Sequence, residues 1–408
     1  MTVGVGGSDA TEQLKLLSNR TGDVEAISMG EYRARIQRAQ VCMQDAGIDA
    51  LYLPGGSSLA YFTGTSWHPS ERMVAALLPR VGDVEYVAPA FERDTLLLHT
   101  LVQGSVHCWE ENESPFELLG RVLASMMDSM GAGRARVGID ESTPFFSFDG
   151  IRKANPETEF VGAMPVTSAC RSRKSVAELA LMQRAKDMTL EVHRSVARIL
   201  RPGITTDEVT EYIQAAHRAL GASGSSFCIV LFGPDSAFPH GVKEPKALSE
   251  NDVVLIDTGC LLHGYNSDIT RTYVFGTPVA RQREVWDAEK AAQAAAFAAA
   301  QVGVPAGEVD RAARASLEAA GYGPGYALPG LPHRTGHGIG LDIHEAPYLV
   351  ASDRTPLAAG MCFSNEPMIC VPGEFGVRLE DHFYVTETGP RWFTQPSLSI
   401  DDPFGVDV

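Results

Sequence analysis

Asp257, Asp268, His337, Glu366 and Glu380 fall in one order across the last third of this 408-residue chain, and each side chain can bind a divalent ion. Asp257 closes the apolar, β-branched run Val253-Val254-Leu255-Ile256 and precedes Thr258-Gly259. Asp268 comes eleven residues later, just ahead of a second such run, Ile269 to Phe275. Two runs of this kind about a Gly-containing turn predict an antiparallel hairpin that brings both carboxylates to one place. Around His337, the glycines of Thr335-Gly336-His337-Gly338-Ile339-Gly340 let the backbone come close to whatever the imidazole binds. Glu366, in Phe363-Ser364-Asn365-Glu366-Pro367, and Glu380, in Val377-Arg378-Leu379-Glu380-Asp381, occupy two further strand-like stretches. Any one of the five alone reads as a turn or strand-end residue. Together they carry more negative charge than one divalent ion balances. Two ions would offset four carboxylates and leave a bridging hydroxide as nucleophile, the logic of two-metal hydrolysis.

In these motifs the chain resembles the pita-bread metallopeptidases: methionine aminopeptidases, aminopeptidase P, prolidase, and the metal-free creatinases. The resemblance implies that Asp257 and Asp268 are ligands, that Glu380 bridges, and that His337 and Glu366 hold the second ion. Mn, Zn, Co and Fe all suit such a carboxylate and imidazole set. It also implies outer histidines: His240 in Phe238-Pro239-His240-Gly241, His333 four residues before His337, and His344 in Ile343-His344-Glu345-Ala346-Pro347. His344 would donate a hydrogen bond to the oxyanion and Glu366 would move the proton. His240, with Arg378, would hold the far end of the substrate, a guanidinium gripping a carboxylate through two hydrogen bonds. His382 and His263 match nothing in the pattern and read as surface or packing residues.

The elements that position these residues read as two units. A Gly-rich leader, residues 1–20, reads as disordered. A first unit, 21–165, opens with Ser28 and Glu31 as a capping box on a helix that stops at Gly47. Short apolar segments at Ala50 to Leu53, Met73 to Leu78, Val84 to Val87 and Val137 to Ile139 follow, separated by helical stretches such as Pro115 to Met130, and predict an α/β layer. A second unit, 171–400, begins with a long helix whose stripe runs through Ala177, Leu181, Ala185 and Met188. It contains an internal repeat. Gly203-Ile204 before Glu208-Val209 recurs as Gly303-Val304 before Glu308-Val309, with equivalent helix-ending glycines at Gly221 and Gly321. The fold class is therefore α/β (α+β), an N-terminal creatinase-like domain followed by a pita-bread domain with an internal pseudo-two-fold repeat.

An N-terminal domain of this size excludes methionine aminopeptidase, and the intact five-residue set disfavours a creatinase. The segment Tyr61-Phe62-Thr63-Gly64, with Trp67 to Arg72, is similar to a loop that in Xaa-Pro dipeptidases reaches the partner subunit's site. Glu71 and Arg72 are then expected to touch the substrate end, and the protein is expected to be a homodimer. The resemblance thus implies an Xaa-Pro dipeptidase (prolidase) with two divalent ions. The alternatives are an Xaa-Pro aminopeptidase on longer peptides, a creatinase- or ectoine-hydrolase-like C–N hydrolase, and a non-enzymatic binding module. A net charge of −17 without a basic cluster argues against nucleic acid or anionic membrane as partner. Seven scattered cysteines, odd in number and without a Cys-x-x-Cys pair, argue against a disulfide framework and for a cytoplasmic protein. The alanine-rich stretch Ala291 to Ala300, interrupted by Gln293, is too short to span a bilayer.

Overall fold

The computed structural model describes residues 1–131 and 133–406. They divide into two compact units, Ile27–Arg171 and a second formed by Met1–Ala26 with Ser172–Val408. In the first unit the Ser28 side chain accepts the Glu31 amide and starts the helix Met29–Ala46, which ends on Gly47 in the left-handed conformation. A six-stranded sheet follows in the spatial order Ser105–Trp109, Glu85–Pro89, Ala75–Pro79, Ala50–Pro54, Arg136–Ile139, Glu159–Gly162. The amphipathic helix Pro115–Met130 presses Leu119, Val122, Leu123, Met126 and Met127 into the same apolar cluster as Tyr52, Ala75, Leu77 and Val87. The two outermost strands were not legible as strands, because their side chains are largely polar or half-exposed.

The second unit is built twice from the same plan. After the helix Val176–Ile199, Gly203 turns the chain at positive φ and donates to Leu248 O, while Leu248 N returns to Ile204 O. One hundred residues on, after the helix Ala280–Ala299, Gly303 does the same: it donates to Leu357 O, and Leu357 N returns to Val304 O. The helices Thr206–Ala219 and Ala306–Ala319 then bury Val209 and Val309 at equivalent positions. Each half contributes an antiparallel sheet. The first contains Ser225–Phe232, Val253–Leu262 and Ile269–Val274; the second contains Glu345–Leu349, Gly336–Gly338, Cys362–Asn365, Asp381–Thr386 and Gly389–Trp392. The pita-bread fold is this doubled arrangement, with Asp257 and His337 on strands of its two sheets and Asp268, Glu366 and Glu380 beside strand ends.

The leader departs from its expected disorder. It carries the short helix Ala10–Leu16, and its glycines let an extended strip lie on the second unit, with Thr2 N donating to Gly276 O, Val3 N to Asp401 O and Gly6 N to Ala197 O. Backbone hydrogen bonding rather than apolar burial anchors it, which is why a composition argument missed it.

Behind the Asp268 strand lies a buried polar chain. Ser225 Oγ stands 2.8 Å from His217 Nδ1, Thr189 Oγ1 lies 3.1 Å from His217 Nε2, and Ser267 Oγ lies 2.7 Å from Thr189 Oγ1. Burial lowers the His217 pKa to about 4. The folded chain therefore refuses a proton that the unfolded chain accepts below about pH 6.5, so His217 contributes stability above that pH and the contribution is lost as pH falls towards 4. Denaturant titrations at several pH values should show wild type losing stability between pH 6.5 and 4 more steeply than His217→Gln. The difference should reach up to about 1.4 kcal/mol per pH unit. Parallel curves would place the titration elsewhere.

Candidate metal centre

The first two candidate ligands come from the predicted hairpin. Val253–Leu262 pairs antiparallel with Ile269–Val274, and the register sets Asp257 opposite Thr270. Asp268 stands two positions before Thr270 and continues the face that Asp257 and Thr270 share. Between them the chain makes a tight turn at His263 and Gly264, both at positive φ. It then closes so tightly that a Cβ on Gly259 would sit 1.8 Å from Ser267 O. Only glycine permits that approach, which is why Asp257 is followed by Thr258-Gly259.

The other three come from the second half. His337 lies on Gly336–Gly338, where a Cβ at Gly336 would strike Ser364 O at 2.2 Å. The His337 amide donates to Ser364 Oγ at 2.9 Å, and its Nδ1 lies 3.0 Å from Gly338 O, which leaves Nε2 for the site. Nε2 stands 3.2 Å from Glu366 Oε1 and 3.7 Å from Asp268 Oδ2. Glu380 enters from the end of the hairpin Met368–Val371 and Phe375–Arg378. Its amide reaches across to Thr270 O, and Thr270 Oγ1 donates to its Oε2 at 2.7 Å.

A layer of buried polar residues holds this set. Arg378 donates from Nη2 to Asp257 Oδ2 at 2.5 Å, from Nε to Thr270 Oγ1 at 3.0 Å and from Nη1 to Pro239 O at 3.0 Å. Arg271 is fully buried, pairing with Asp381 Oδ1 at 2.7 Å and donating to Glu380 O. Gln293, the residue that interrupts the alanine run inside the helix Ala280–Ala299, donates to Leu379 O and Asp381 Oδ2. Sequence reading missed its role because its one visible signal was a polar residue among alanines.

Charge makes the set unstable by itself. Burial, then the neighbouring carboxylates, raises the pKa of Asp268 and of Glu380 far above the ordinary carboxylate range. Burial also raises Asp257, though Arg378 opposes it. Glu366 is buried too, but His337, His333 and Arg378 outweigh desolvation and hold it at about 2. Asp257 Oδ1, Asp268 Oδ1, Glu380 Oε1 and His337 Nε2 are buried without a hydrogen bond. Four lone-pair atoms left unpaired in one place cost several kcal/mol unless something cationic takes them. Donor atoms of His337, Glu366 and Glu380, and of Asp268, His337 and His344, lie within 4.8 Å of one another. These residues fit divalent ions.

The structure brings all five expected ligands together and puts His344 beside them, its ring 4.1 Å from that of His337. Desolvation, with His337 and Arg334, lowers the His344 pKa to about 4. His333 Nε2 is buried without a hydrogen bond, its Nδ1 2.7 Å from Arg334 O. His240 is exposed, on the segment that Arg378 ties down through Pro239. One expectation is corrected. The donors of Arg378 are largely committed within the protein, so the guanidinium has no free two-bond face for a carboxylate. Arg72 belongs to the first unit, where it pairs with Glu71 at 2.6 Å and Glu111 at 3.1 Å while 43% exposed; this is a loop salt bridge. His382, expected as a surface or packing residue, is fully buried beside Glu380 and so is not on the surface. His263 stays on its exposed turn.

Comparison with known proteins agrees with the fold. The model for metallopeptidase family M24 matches residues 180–387, and that for the creatinase/prolidase N-terminal domain matches residues 35–173. The "Probable dipeptidase PepE" of Mycobacterium tuberculosis is 34% identical over 366 residues, covering 88% of this chain and 93% of that protein. The structure of dipeptidase PepE from Mycobacterium ulcerans superimposes with a TM-score of 0.83 at 34% identity, covering 91% of this chain and 97% of the other. Prolidase from Thermococcus sibiricus gives 0.81 at 28% identity, covering 91% and 98%.

Relief of the carboxylate repulsion should be measurable without substrate. A divalent ion added to chelator-stripped protein at about a hundred times its dissociation constant should stabilise each site by about 2.7 kcal/mol, read as a rise in thermal midpoint. Glu380→Ala should lose most of that rise. An equal rise in the variant would take Glu380 out of the centre.

Proposed function

The chain belongs to metallopeptidase family M24, and we propose that within it this protein is an Xaa-Pro dipeptidase using two divalent ions. The family works with divalent metal, and dipeptidases and a prolidase are among its close structural neighbours. The ions would be held by Asp257, Asp268, His337, Glu366 and Glu380, with Mn, Zn, Co and Fe all compatible with that donor set. The observation that carries the dipeptide reading is the tie from Arg378 to Pro239. It sets a cationic guanidinium at the ligand cluster and holds the exposed His240 beside it.

Bound divalent ions supply a hydroxide nucleophile near neutral pH and polarise a carbonyl. The remaining work falls to side chains of the chain. His344, neutral with its pKa near 4, donates an N–H to the oxygen of the scissile carbonyl as negative charge develops there. Glu366, kept ionised by its surroundings, accepts a proton and delivers it to the leaving nitrogen. Proline's nitrogen is tertiary and leaves as a secondary amine only after taking that proton. His240, with the charge of Arg378 and one remaining Nη2 N–H, pairs with the free carboxylate beside it. His333, buried with an open Nε2, lines the same region.

Among the described residues no helix is long and apolar enough to cross a membrane. All seven cysteines are free thiols, which supports a reducing compartment and a cytoplasmic location. A small peptide substrate, no nucleic acid partner and a homodimer complete the reading, the last from the family resemblance alone.

A peptide panel tests the substrate. With the metal bound, an Xaa-Pro dipeptide should outpace its C-terminal amide and an Xaa-Pro-Xaa tripeptide by roughly ten-fold or more, since donors left unpaired cost about 1 to 3 kcal/mol. His240→Ala should erase most of the preference through a higher KM. Equal rates for all three would make the enzyme an aminopeptidase. No cleavage of any Xaa-Pro peptide by metal-loaded protein would favour a non-peptide C–N hydrolase.

His344→Ala should keep its metal yet lower kcat by roughly a hundredfold or more, because the lost hydrogen bond is strongest in the transition state. An unchanged kcat with metal retained would give His344 a structural role.

A further inference from the structure

We propose that His382 is an additional nitrogen ligand of the metal centre, on the side formed by Asp268 and Glu380. The centre would then present two imidazoles, where the ordered five-residue set supplies only His337. This inference rests on the metal reading above, which it extends by one residue.

The period of two along an extended chain puts His382 on the same face as Glu380. His382 sits on the strand Asp381–Thr386, antiparallel to Cys362–Asn365 with His382 opposite Ser364. Ser364 in turn receives the His337 amide, so His382 is in the row that carries the other imidazole. The ring is completely buried, and neither Nδ1 nor Nε2 has a hydrogen-bond partner. Nε2 stands 3.6 Å from Glu380 Oε1, too far for a hydrogen bond. Donor atoms of Asp268, Glu380 and His382 all fall within 4.8 Å of one another.

The three side chains are unsatisfied at the same point. Glu380 spends Oε2 on Thr270 and leaves Oε1 unpaired; Asp268 leaves Oδ1 unpaired; His382 leaves both nitrogens unpaired. A packing histidine would find at least one protein partner. The other buried imidazoles do: His193 Nε2 lies 2.9 Å from Ile269 O, and His217 is bonded at both nitrogens. The cation nearest His382 electrostatically, Lys186, is held by Asn266 O and does not fill the gap. One divalent ion would satisfy all three side chains at once. A second imidazole also shifts the donor set towards nitrogen, which favours Zn, Co and Fe over Mn.

Proton NMR of the Co(II)-loaded wild-type protein counts the imidazoles directly, since each coordinated ring contributes one strongly shifted, exchangeable N–H resonance. Two such resonances are expected, one of them lost in His382→Leu. Zn(II) affinity of that variant, from competition with a chelator of known strength, should fall at one site by at least the roughly 10- to 100-fold that losing an outer-shell partner costs. A single resonance in wild type, with both affinities unchanged in the variant, would overturn the role of His382 and leave the metal centre standing. Wild type that binds no Co(II) or Zn(II) would overturn the metal reading and this proposal with it. If His382→Leu does not fold, the wild-type resonance count decides alone.

Discussion

Four carboxylates buried in one place repel each other, and most of the second unit is arranged to make that tolerable. Desolvation and mutual repulsion drive Asp268 and Glu380 towards protonation, whereas a ligand must be ionised. The protein supplies some relief. Arg378 neutralises part of Asp257, Thr270 donates to Glu380, and His337 lies against Glu366. The relief is incomplete, and oxygens on Asp257, Asp268 and Glu380 stay unpaired. A centre of this kind is relieved either by protonation of its carboxylates or by a bound cation. Its energetic deficit without metal is the counterpart of its affinity with metal.

The doubled fold brings the carboxylates together from distant parts of the chain. Each half folds locally, with Gly203 and Gly303 starting equivalent turns and Val209 and Val309 packing equivalent helices. The halves are then sewn together at the site itself: Glu380 N bonds to Thr270 O, Thr272 Oγ1 donates to Arg378 O, and Arg271 reaches Glu380 O and Asp381. Arg271 and Asp381 are both fully buried. Such a pair is a weak source of stability but fixes geometry, because either charge alone would be strongly penalised there. Removal of one partner would leave the other charge buried and unpaired, at a cost of about 3 to 5 kcal/mol.

What was legible in the sequence follows from what is local. The hairpin that carries Asp257 and Asp268 showed itself through β-branched runs and a turn. The helix Met29–Ala46 showed itself through Ser28, Glu31 and Gly47, and the repeat through glycines forced to positive φ. The pairing of Arg378 with Asp257 was not legible, since nothing in a one-dimensional pattern tells whether a guanidinium near a ligand faces substrate or ligand. Gln293 and Thr270 were hidden for the same reason: their partners lie 86 and 110 residues away. His382 was set aside because it matched no motif. Its chemistry depends on burial and on the absence of hydrogen-bond partners, both properties of the folded chain. Arg72 carried a motif likeness, and within this chain it makes surface ion pairs of little energetic weight.

The commitments of Arg378 couple two functions usually treated apart. One guanidinium neutralises Asp257, supports Thr270 as it donates to Glu380, and anchors Pro239 next to His240. A metal ion held by Asp257 would change the charge that this carboxylate presents to Nη2, on the same planar group that anchors Pro239. A guanidinium is rigid, so its three contacts move together where a lysine would adjust each separately. Under the proposed role of His240, recognition of the substrate's far end would be built on the metal centre rather than beside it. On that proposal, the loss of a ligand and the loss of selectivity for a free carboxylate would share a physical cause.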